Sequence, residues 1–152
     1  DGLIIERPRR TEREAVATSL LQRRLGQVLP TTFQLRSDEA LTLSQATELC
    51  PPFSVVSHDD ASRSVRHPAS ATLVVEIAVS DIERLKPAHV TAYARAGVQE
   101  LWLLDLRDTT IEVLWKPVAG AYQDAMLLTA PAALAARVLP DVSVDLSQVF
   151  GS

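Results

Sequence analysis

The sequence contains a single cysteine, Cys50, and this scarcity limits both its redox chemistry and its expected location. One thiol cannot form an internal disulfide, so nothing in the chain indicates an oxidising compartment, and we expect a reducing cytoplasm. No activating partner is visible beside Cys50. We therefore interpret it as a loop residue rather than as a nucleophile.

Long hydrophobic runs are also absent. The longest apolar stretch, residues 130–139, is interrupted by Pro131 and Arg137 and is much shorter than the ~20 residues that a membrane span needs. The sequence therefore predicts no transmembrane segment. It begins at Asp1 with neither an initiator methionine nor a signal-like core, so we expect that residues upstream of Asp1 are missing.

The third shortage is positive charge. The net charge of −4 argues against binding nucleic acid over a broad electrostatic surface, which usually requires a basic face. Positive charge is concentrated in the first quarter of the chain, where three glutamates dilute it. We expect a solvated helix surface there, and the alternative is a patch that follows phosphates. The arginines concerned are Arg7, Arg9, Arg10, Arg13, Arg23 and Arg24.

The residues that are present describe an ordinary folded domain. A chain of 152 residues with 47% hydrophobic and 22% charged residues is the size and composition of one globular domain, which we expect to span residues 1–152. Thr11 and Glu14 have the spacing of a capping box at a helix start. Apolar residues then recur at helical spacing and predict an amphipathic helix to about Gln27; they are Ala15, Val16, Leu20, Leu21, Leu25 and Val28.

Short strand patterns follow this helix. Residues 32–36 and 40–43 flank the turn-prone pair Ser37-Asp38, which suggests a hairpin. Pro51-Pro52 prevents a helix and introduces an extended run over residues 53–57. The polar segment 58–68 has no hydrophobic period, and we expect it to be a surface loop.

The second half of the chain alternates between core strands and a helix. Residues 72–79 are almost continuously apolar and β-branched, as in a strand that is buried on both faces. Ser80 and Glu83 repeat the capping-box spacing, and the helix that follows should end at Gly97. Residues 100–106, 111–116 and 122–128 predict three more strands. This order indicates an α/β (α+β) fold with a mixed sheet flanked by helices.

Glu76 is the one residue that this pattern does not explain. It lies in the middle of the apolar strand 72–79, where an ionised carboxylate is costly unless a cation, a donor or a metal meets it. A functional acid and a glutamate that faces solvent or pairs with an arginine are both consistent with the sequence.

Several segments resemble the Uma-type putative restriction endonucleases of the PD-(D/E)XK nuclease superfamily. They are Val74-Val75-Glu76-Ile77, the run 80–84, and residues 93–106, which read Tyr-Ala-Arg-Ala-Gly-Val-Gln-Glu-Leu-Trp-Leu-Leu-Asp-Leu. Asp1-Gly2, His67-Pro68 and Leu139-Pro140-Asp141 are similar to flanking motifs of that family. The resemblance implies a restriction-endonuclease-like fold, a cytoplasmic DNA endonuclease that uses Mg²⁺ or Mn²⁺, and a homodimer.

The resemblance also implies a catalytic set, and this chain departs from it. The family's Asp after a Pro corresponds to Pro52, its Glu to Glu76, and the Lys position two residues later to Ala78. Many members carry the Lys on the next helix instead, where this chain has His89, with Lys86 one turn earlier. Lys86, His89 and Tyr93 share a helix face if the helix is continuous through Pro87.

Other acids are weaker substitutes for the missing Asp. Asp59 and Asp60 lie seven and eight residues beyond Pro52, on the order of 20 Å along an extended chain. Glu48 is nearer, and the resembling family tends to have an acid there. His58-Asp59-Asp60 suggests a metal cluster only weakly, because it has no spaced fourth ligand.

Three hypotheses remain at this stage. The chain is a weak or altered metal-dependent nuclease whose catalytic Glu76 binds the metal, with Glu48 or an acid upstream of Asp1 completing the metal shell and with Lys86 or His89 orienting the water. Alternatively, it is a catalytically inactive relative that acts in binding or dimer formation, which two replacements in a three-residue site favour. The third hypothesis is a nucleic-acid-binding protein that uses the arginine-rich helix.

Overall fold

The computed structural model describes residues 3–4, 12–63, 68–78, 82–139 and 141–151. Within these ranges the chain forms β1 (Leu3–Ile4), α1 (Glu12–Val28), β2 (Phe33–Ser37), β3 (Leu41–Ser44), β4 (Thr47–Leu49), β5 (Phe53–Ser57), α2 (His58–Arg63), β6 (Leu73–Ala78), α3 (Ile82–Arg95), β7 (Glu100–Asp105), β8 (Thr110–Val118), β9 (Ala121–Thr129), β10 (Ala133–Ala135) and β11 (Ser143–Asp145). The predicted caps Thr11 and Ser80, and the family motifs at Asp1-Gly2, His67 and Pro140, lie outside these ranges.

A six-stranded mixed sheet organises the fold, with the strand order β2-β5-β6-β7-β8-β9. The pair β6–β7 is parallel, because α3 carries the chain back across the sheet between them, and the other neighbours are antiparallel. β1, β4 and β3 form a second, three-stranded sheet, and β10 pairs with β11. The predicted mixed sheet with flanking helices is confirmed.

The two faces of the main sheet are covered by different elements. One face packs against α1 and the C-terminal segment, and its buried cluster includes Leu21, Leu25, Trp102 and Val144. The other face packs against α3 and the three-stranded sheet, and Tyr93 belongs to its cluster. Because both faces are covered, β6 and β7 are buried along their lengths wherever their side chains are described. This explains their nearly continuous hydrophobicity.

The two predicted helices are present, but the buried face of α1 differs from the predicted one. α1 ends at Val28, one residue beyond the predicted end. Its buried residues are Ala17, Thr18, Leu21 and Leu25, whereas Val16 is 60% exposed. α3 ends before Gly97, which adopts the left-handed conformation (φ 80°), and the Val98 N–H bonds to the Tyr93 carbonyl at 3.0 Å. That is the C-terminal cap that glycine favours.

Two sequence predictions are wrong. β2 and β3 do not form a hairpin, because β2 pairs with β5 in the main sheet and β3 pairs with β4 in the other sheet. At Asp38, which has a φ of 55°, the chain turns away instead of folding back. The segment after residue 57 was predicted to be a loop, but its first six residues form α2, and Ala61 packs on the face that α3 covers.

Two arginines of the basic first quarter hold the C-terminal segment to α1. Arg13 donates to the Phe150 carbonyl at 3.0 Å, and Arg24 donates to the carbonyls of Asp145 and Ser147 at 2.7 and 3.0 Å. Arg24 also lies 3.4 Å from the Asp145 carboxylate. These guanidinium groups serve the fold, which removes them from any continuous phosphate-binding row on α1. No helix in the described part of the chain is long and apolar enough to cross a membrane.

The contacts at Asp145 give an expected pH dependence. A hydrogen bond from the Ser147 backbone N–H, with help from the Ser147 side chain and Arg24, holds the pKa of Asp145 below its usual value. A lowered folded-state pKa stabilises the protein above the unfolded-state pKa, and this contribution is lost as the pH falls through the folded-state value. We expect Asp145→Asn to lower the urea midpoint at pH 7 more than at a pH below the folded-state pKa, where the wild-type carboxylate is protonated. Asp141→Asn, at an exposed turn, controls for the lost charge. An equal effect of Asp145→Asn at both pH values would contradict this assignment.

Candidate functional site

Glu76 lies inside the main sheet and is only 2% exposed. On β6, Leu73, Val75 and Ile77 pack into the cluster beneath α1. Val74, which shares the opposite face with Glu76, packs into the cluster beneath α3. The strand alternation therefore points the carboxylate at α3.

Two side chains of α3 meet this carboxylate. The Tyr93 hydroxyl donates a 2.6 Å hydrogen bond to Glu76 Oε2, and His89 Nδ1 lies 3.9 Å from the same oxygen. Both side chains are buried, and their rings meet edge to face with centroids 6.4 Å apart. The spacing of four residues places them on one helix face. The buried acid thus has a phenol donor and an imidazole beside it, and we call Glu76, His89 and Tyr93 the Glu76 cluster.

Tyr93 is the member of this cluster that the sequence analysis did not assign to the site. It appeared there only as a family marker on the face of His89. The spacing of His89 and Tyr93, opposite the single acid of the preceding strand, is a signal that could have identified it. A tyrosine in an apolar pattern is ordinarily a core residue, so the signal is weak without the fold.

The helix that carries the cluster is continuous through its proline. α3 runs from Ile82 to Arg95 with Pro87 inside it, and the Thr91 hydroxyl donates to the Pro87 carbonyl at 2.9 Å. Lys86 and His89 therefore belong to one helix. The Lys86 side chain lies outside the described residues, so its position relative to Glu76 stays a prediction.

The sheet register identifies the neighbours of Glu76. Leu103 pairs with it on β7. On the other side, Phe53 pairs with Val75, so the antiparallel register continued by one residue sets Pro52 beside Glu76. Ala78 is two residues further along β6 and pairs with Asp105. The Asp105 carboxylate accepts hydrogen bonds from the Arg107 and Asp108 N–H groups, which fixes the β7–β8 turn.

The other candidate ligands lie on different elements. Glu48 is half-buried on β4, and its neighbour Leu49 packs into the cluster that contains Tyr93. Because successive side chains alternate across a strand, Glu48 points away from that cluster. His58 and Asp59 are exposed at the start of α2. Among the described residues, no three His, Cys, Asp or Glu side chains form a group that could hold a metal ion.

The side chains of the Glu76 cluster offer few ligand atoms for a divalent cation such as Mg²⁺. Such an ion takes about six oxygen ligands in octahedral geometry and is usually held by one or two carboxylates together with substrate phosphates. The cluster offers one carboxylate, and one of its oxygens already accepts the Tyr93 hydroxyl. The arrangement is instead suited to holding a buried carboxylate by hydrogen bonding.

Removing the hydrogen bond from Tyr93 to Glu76 should lower the stability of the protein. Tyr93→Phe takes one donor from a buried carboxylate, and we expect a loss of about 1–3 kcal/mol of unfolding free energy, measured by urea denaturation. Tyr122→Phe is the matched control. Its hydroxyl donates to the Val98 carbonyl at 2.8 Å from a half-buried position, and burial raises the pKa of Tyr122 well above its usual value. We expect the smaller effect at Tyr122, since its acceptor is neutral. Equal losses would show that the Glu76 carboxylate adds nothing to the Tyr93 contact.

A second acid, Glu100, is also buried in the main sheet and was not recognised as such from the sequence. It is fully buried on the face beneath α1 and accepts three hydrogen bonds. The Trp102 indole donates at 2.7 Å, and the Arg137 and Val138 N–H groups donate at 2.8 and 3.1 Å. Glu100 therefore attaches the C-terminal segment to β7 and has a structural role.

Comparison with known proteins agrees with this fold. The family model described as Uma2, putative restriction endonuclease, matches residues 1–147. No curated protein matches the chain. A crystal structure of a putative nuclease belonging to DUF820 from Anabaena variabilis superposes with a TM-score of 0.74 at 17% sequence identity, covering 96% of this chain and 84% of that one. At that identity the likeness establishes the fold alone. The family model covers residues 1–147, nearly the whole sequence, and this chain therefore belongs to the Uma2 family of putative restriction endonucleases.

Proposed function

We propose that this chain derives from a metal-dependent DNA endonuclease and that its hydrolysis of phosphodiesters is weak or lost. The observation that carries the proposal is the position of Pro52. The pairing Phe53↔Val75, continued by one residue, puts Pro52 beside Glu76, and the proline side chain cannot bind a metal. The superfamily resemblance implies an Asp there and a Lys at the position of Ala78.

These two replacements affect different parts of the chemistry. A divalent ion, when bound, supplies charge stabilisation on the phosphate and a more acidic water. Proline has no side-chain oxygen to hold such an ion, and the Pro52 carbonyl already accepts the Asp38 N–H at 3.1 Å. Alanine has no ammonium group to place a water. Glu76 alone would bind a hard cation loosely, and its hydrogen bond with Tyr93 gives it a structural role without any metal.

Weak residual activity is one of the two outcomes within this proposal, and the continuity of α3 favours it over complete loss. Because the helix passes through Pro87 unbroken, Lys86 or His89 could orient a water near Glu76. Glu48 would then have to join Glu76 on the metal, although its strand points it away from the cluster. Weak activity therefore requires a movement of β4 that complete loss does not.

The partner and the setting are also proposals that rest on the family. DNA is the partner that a restriction endonuclease family indicates. We further propose a single domain over residues 1–152, a cytoplasmic location and a homodimer. The binding or dimer-forming role of a catalytically inactive relative is consistent with a fold whose core is intact around a modified site.

Nicking of supercoiled plasmid DNA with millimolar Mg²⁺ or Mn²⁺ tests the proposal. We expect the wild-type protein to nick no more than a few-fold faster than Glu76→Ala, because a lone carboxylate holds the metal only loosely. Tyr93→Phe serves as a folding control, since it perturbs the same cluster and keeps the carboxylate. Rapid metal-dependent nicking by the wild-type protein that Glu76→Ala abolishes would overturn the proposal and show that the nuclease is fully active.

A further inference from the structure

A group of polar side chains on β2 and β5 lies on the same face of the main sheet as the site described above. Phe33 and Leu35 of β2 pack beneath α1. The alternate residues Gln34 and Arg36 therefore point to the opposite face. Ser54 of β5 pairs with Arg36 in the register and is only 1% exposed. We call Gln34, Arg36 and Ser54 the Arg36 group.

Each side chain of the Arg36 group has a buried polar atom without a hydrogen-bond partner among the described residues. The three atoms are Gln34 Oε1, Arg36 Nε and Ser54 Oγ. Buried polar atoms are nearly always paired, and several unpaired ones in one place indicate a small polar ligand that satisfies them. Directly opposed residues on neighbouring strands have Cβ atoms about 5 Å apart, and diagonal ones about 7–8 Å. One small ligand can therefore contact all three side chains.

The chemistry of these side chains suits an oxyanion. Arg36 supplies a planar guanidinium, which matches the geometry of phosphate oxygens and is seldom buried without an anionic partner. Ser54 supplies a hydroxyl donor. Gln34 can turn either its carbonyl or its NH₂ group towards the ligand, because a half-turn of the amide exchanges the two. The group thus offers one positive charge and up to three kinds of donor.

The anion that Arg36 meets within the chain is held loosely. Arg36 Nη2 lies 3.5 Å from Glu39 Oε1, whereas a charge-assisted hydrogen bond measures about 2.7–2.9 Å. The Arg36 side chain is 11% exposed and that of Glu39 is 53% exposed. The guanidinium therefore approaches the surface beside Glu39, and an oxyanion from solution can displace this carboxylate.

The Arg36 group is close to the Glu76 cluster but separate from it. Ser54 pairs with Val74, which precedes Glu76 by two residues on the same face. Arg36 lies one strand further out, on the edge strand β2, and strand spacing puts its backbone roughly 10 Å or more from that of Glu76. The positive charge of Arg36 and the carboxylate of Glu76 thus occupy different parts of this face.

We propose that the Arg36 group binds a phosphate oxyanion, with the guanidinium and the Ser54 hydroxyl as donors. A phosphate of the DNA backbone and a free phosphate group share this chemistry, and only the first source rests on the proposed function. Binding here requires neither a metal nor hydrolysis. It is measured in EDTA, whereas the proposed function is tested by metal-dependent nicking, so either can fail without the other.

Calorimetric titration of the full chain with inorganic phosphate in EDTA gives the first arm of the test. We expect one phosphate per chain. Arg36→Gln should weaken binding at least about tenfold, because it removes the charge-assisted hydrogen bonds. Glu39→Gln should strengthen binding, because it removes the competing carboxylate. Arg107→Gln is the matched control and should bind as the wild-type protein does, since Arg107 also lies near an acid, 3.7 Å from Asp108, but is 67% exposed.

Thermal unfolding separates binding from folding. Ser54→Ala removes a hydroxyl that has no partner among the described residues, so it should not lower the unfolding temperature in the absence of phosphate. Phosphate should raise the unfolding temperature of the wild-type protein and raise that of Ser54→Ala less. Arg36→Lys keeps the charge but not the planar fork and should bind with intermediate affinity, which provides a second readout if Arg36→Gln does not fold.

Fluorescence anisotropy with a labelled DNA duplex, also in EDTA, identifies the source of the phosphate. Weaker DNA binding by Arg36→Gln, together with competition by inorganic phosphate, assigns the site to the DNA backbone. Unchanged DNA binding by a variant that has lost phosphate assigns it to a free phosphate group. If neither ligand distinguishes Arg36→Gln from Arg107→Gln, water alone satisfies the buried polar atoms and the proposal is overturned.

Discussion

Glu100→Ala is expected to lower the free energy of unfolding by roughly 3–5 kcal/mol, the largest loss of stability that we expect from a single charged residue. The substitution removes the acceptor of three hydrogen bonds at a fully buried position and leaves the Trp102 indole and two backbone N–H groups unsatisfied. Buried donors without acceptors each cost about 1–3 kcal/mol, and their costs are not additive. Urea denaturation at pH 7 measures the effect.

Two further variants show whether the hydrogen bonds cause this loss. Glu100→Gln keeps the shape and one acceptor oxygen, so we expect an intermediate loss. Asp108→Ala removes an acid that is 61% exposed and lies 3.7 Å from Arg107, and it should change stability by less than about 0.5 kcal/mol. If Glu100→Ala is no more harmful than Asp108→Ala, the C-terminal segment is held by other contacts.

The second large effect is a gain of activity. Pro52→Asp combined with Ala78→Lys restores the two residue types that the superfamily resemblance implies. Ala78 lies two residues beyond Glu76 on β6, and position 52 precedes β5, whose register continued by one residue meets Glu76. We expect Mg²⁺-dependent nicking of supercoiled DNA to rise at least about 100-fold above the wild-type rate, which is the scale on which members of a catalytic group act together.

Pro52→Asp alone, Ala78→Lys alone, and Glu76→Ala added to the double variant are the controls for this gain of activity. Because catalytic residues act as a unit, each single substitution should give much less than the pair. Glu76→Ala in the double variant should abolish the gained nicking. If the double variant folds and binds DNA but cuts no faster than wild type, the loss of activity has a cause other than positions 52 and 78.

The sequence was most informative where both faces of an element are buried. Residues 72–79 and 100–106 were predicted as core strands because a strand covered on both faces has no polar side to present, and β6 and β7 occupy those positions. The end of α3 at Gly97 was equally clear, since few other residues adopt its conformation without strain. Local chemistry alone determines features of this kind.

Features that depend on distant contacts were not predictable. Ser37-Asp38 has the composition of a hairpin turn, but β2 pairs with β5 because that register buries Phe33 and Leu35 against the α1 face. Val16 fits the helical pattern of α1 and is nonetheless exposed. Glu100 sits at a predicted strand start, where an acid is ordinarily solvated, and its buried state depends on residues nearly forty positions later.

The Glu76 site has one feature that the sequence predicted and one that depends on a distant contact. An acid within an apolar strand was apparent from the sequence, which left open whether it faced solvent, and the structure buries it on β6. Its hydrogen-bond donor, Tyr93, became evident only when α3 was placed over the sheet. The carboxylate is therefore part of a packed polar cluster, and this gives it a reason to be retained even without a metal.

A titration of the wild-type protein with Mn²⁺, followed by electron paramagnetic resonance of the free ion, tests the central claim most directly. Without a side-chain carboxylate at position 52, the wild-type protein should show no saturable site below about 1 mM, and Pro52→Asp should gain one site per chain. A wild-type site that saturates at micromolar Mn²⁺ and disappears in Glu76→Ala would contradict the account, because it would show that the metal shell is intact.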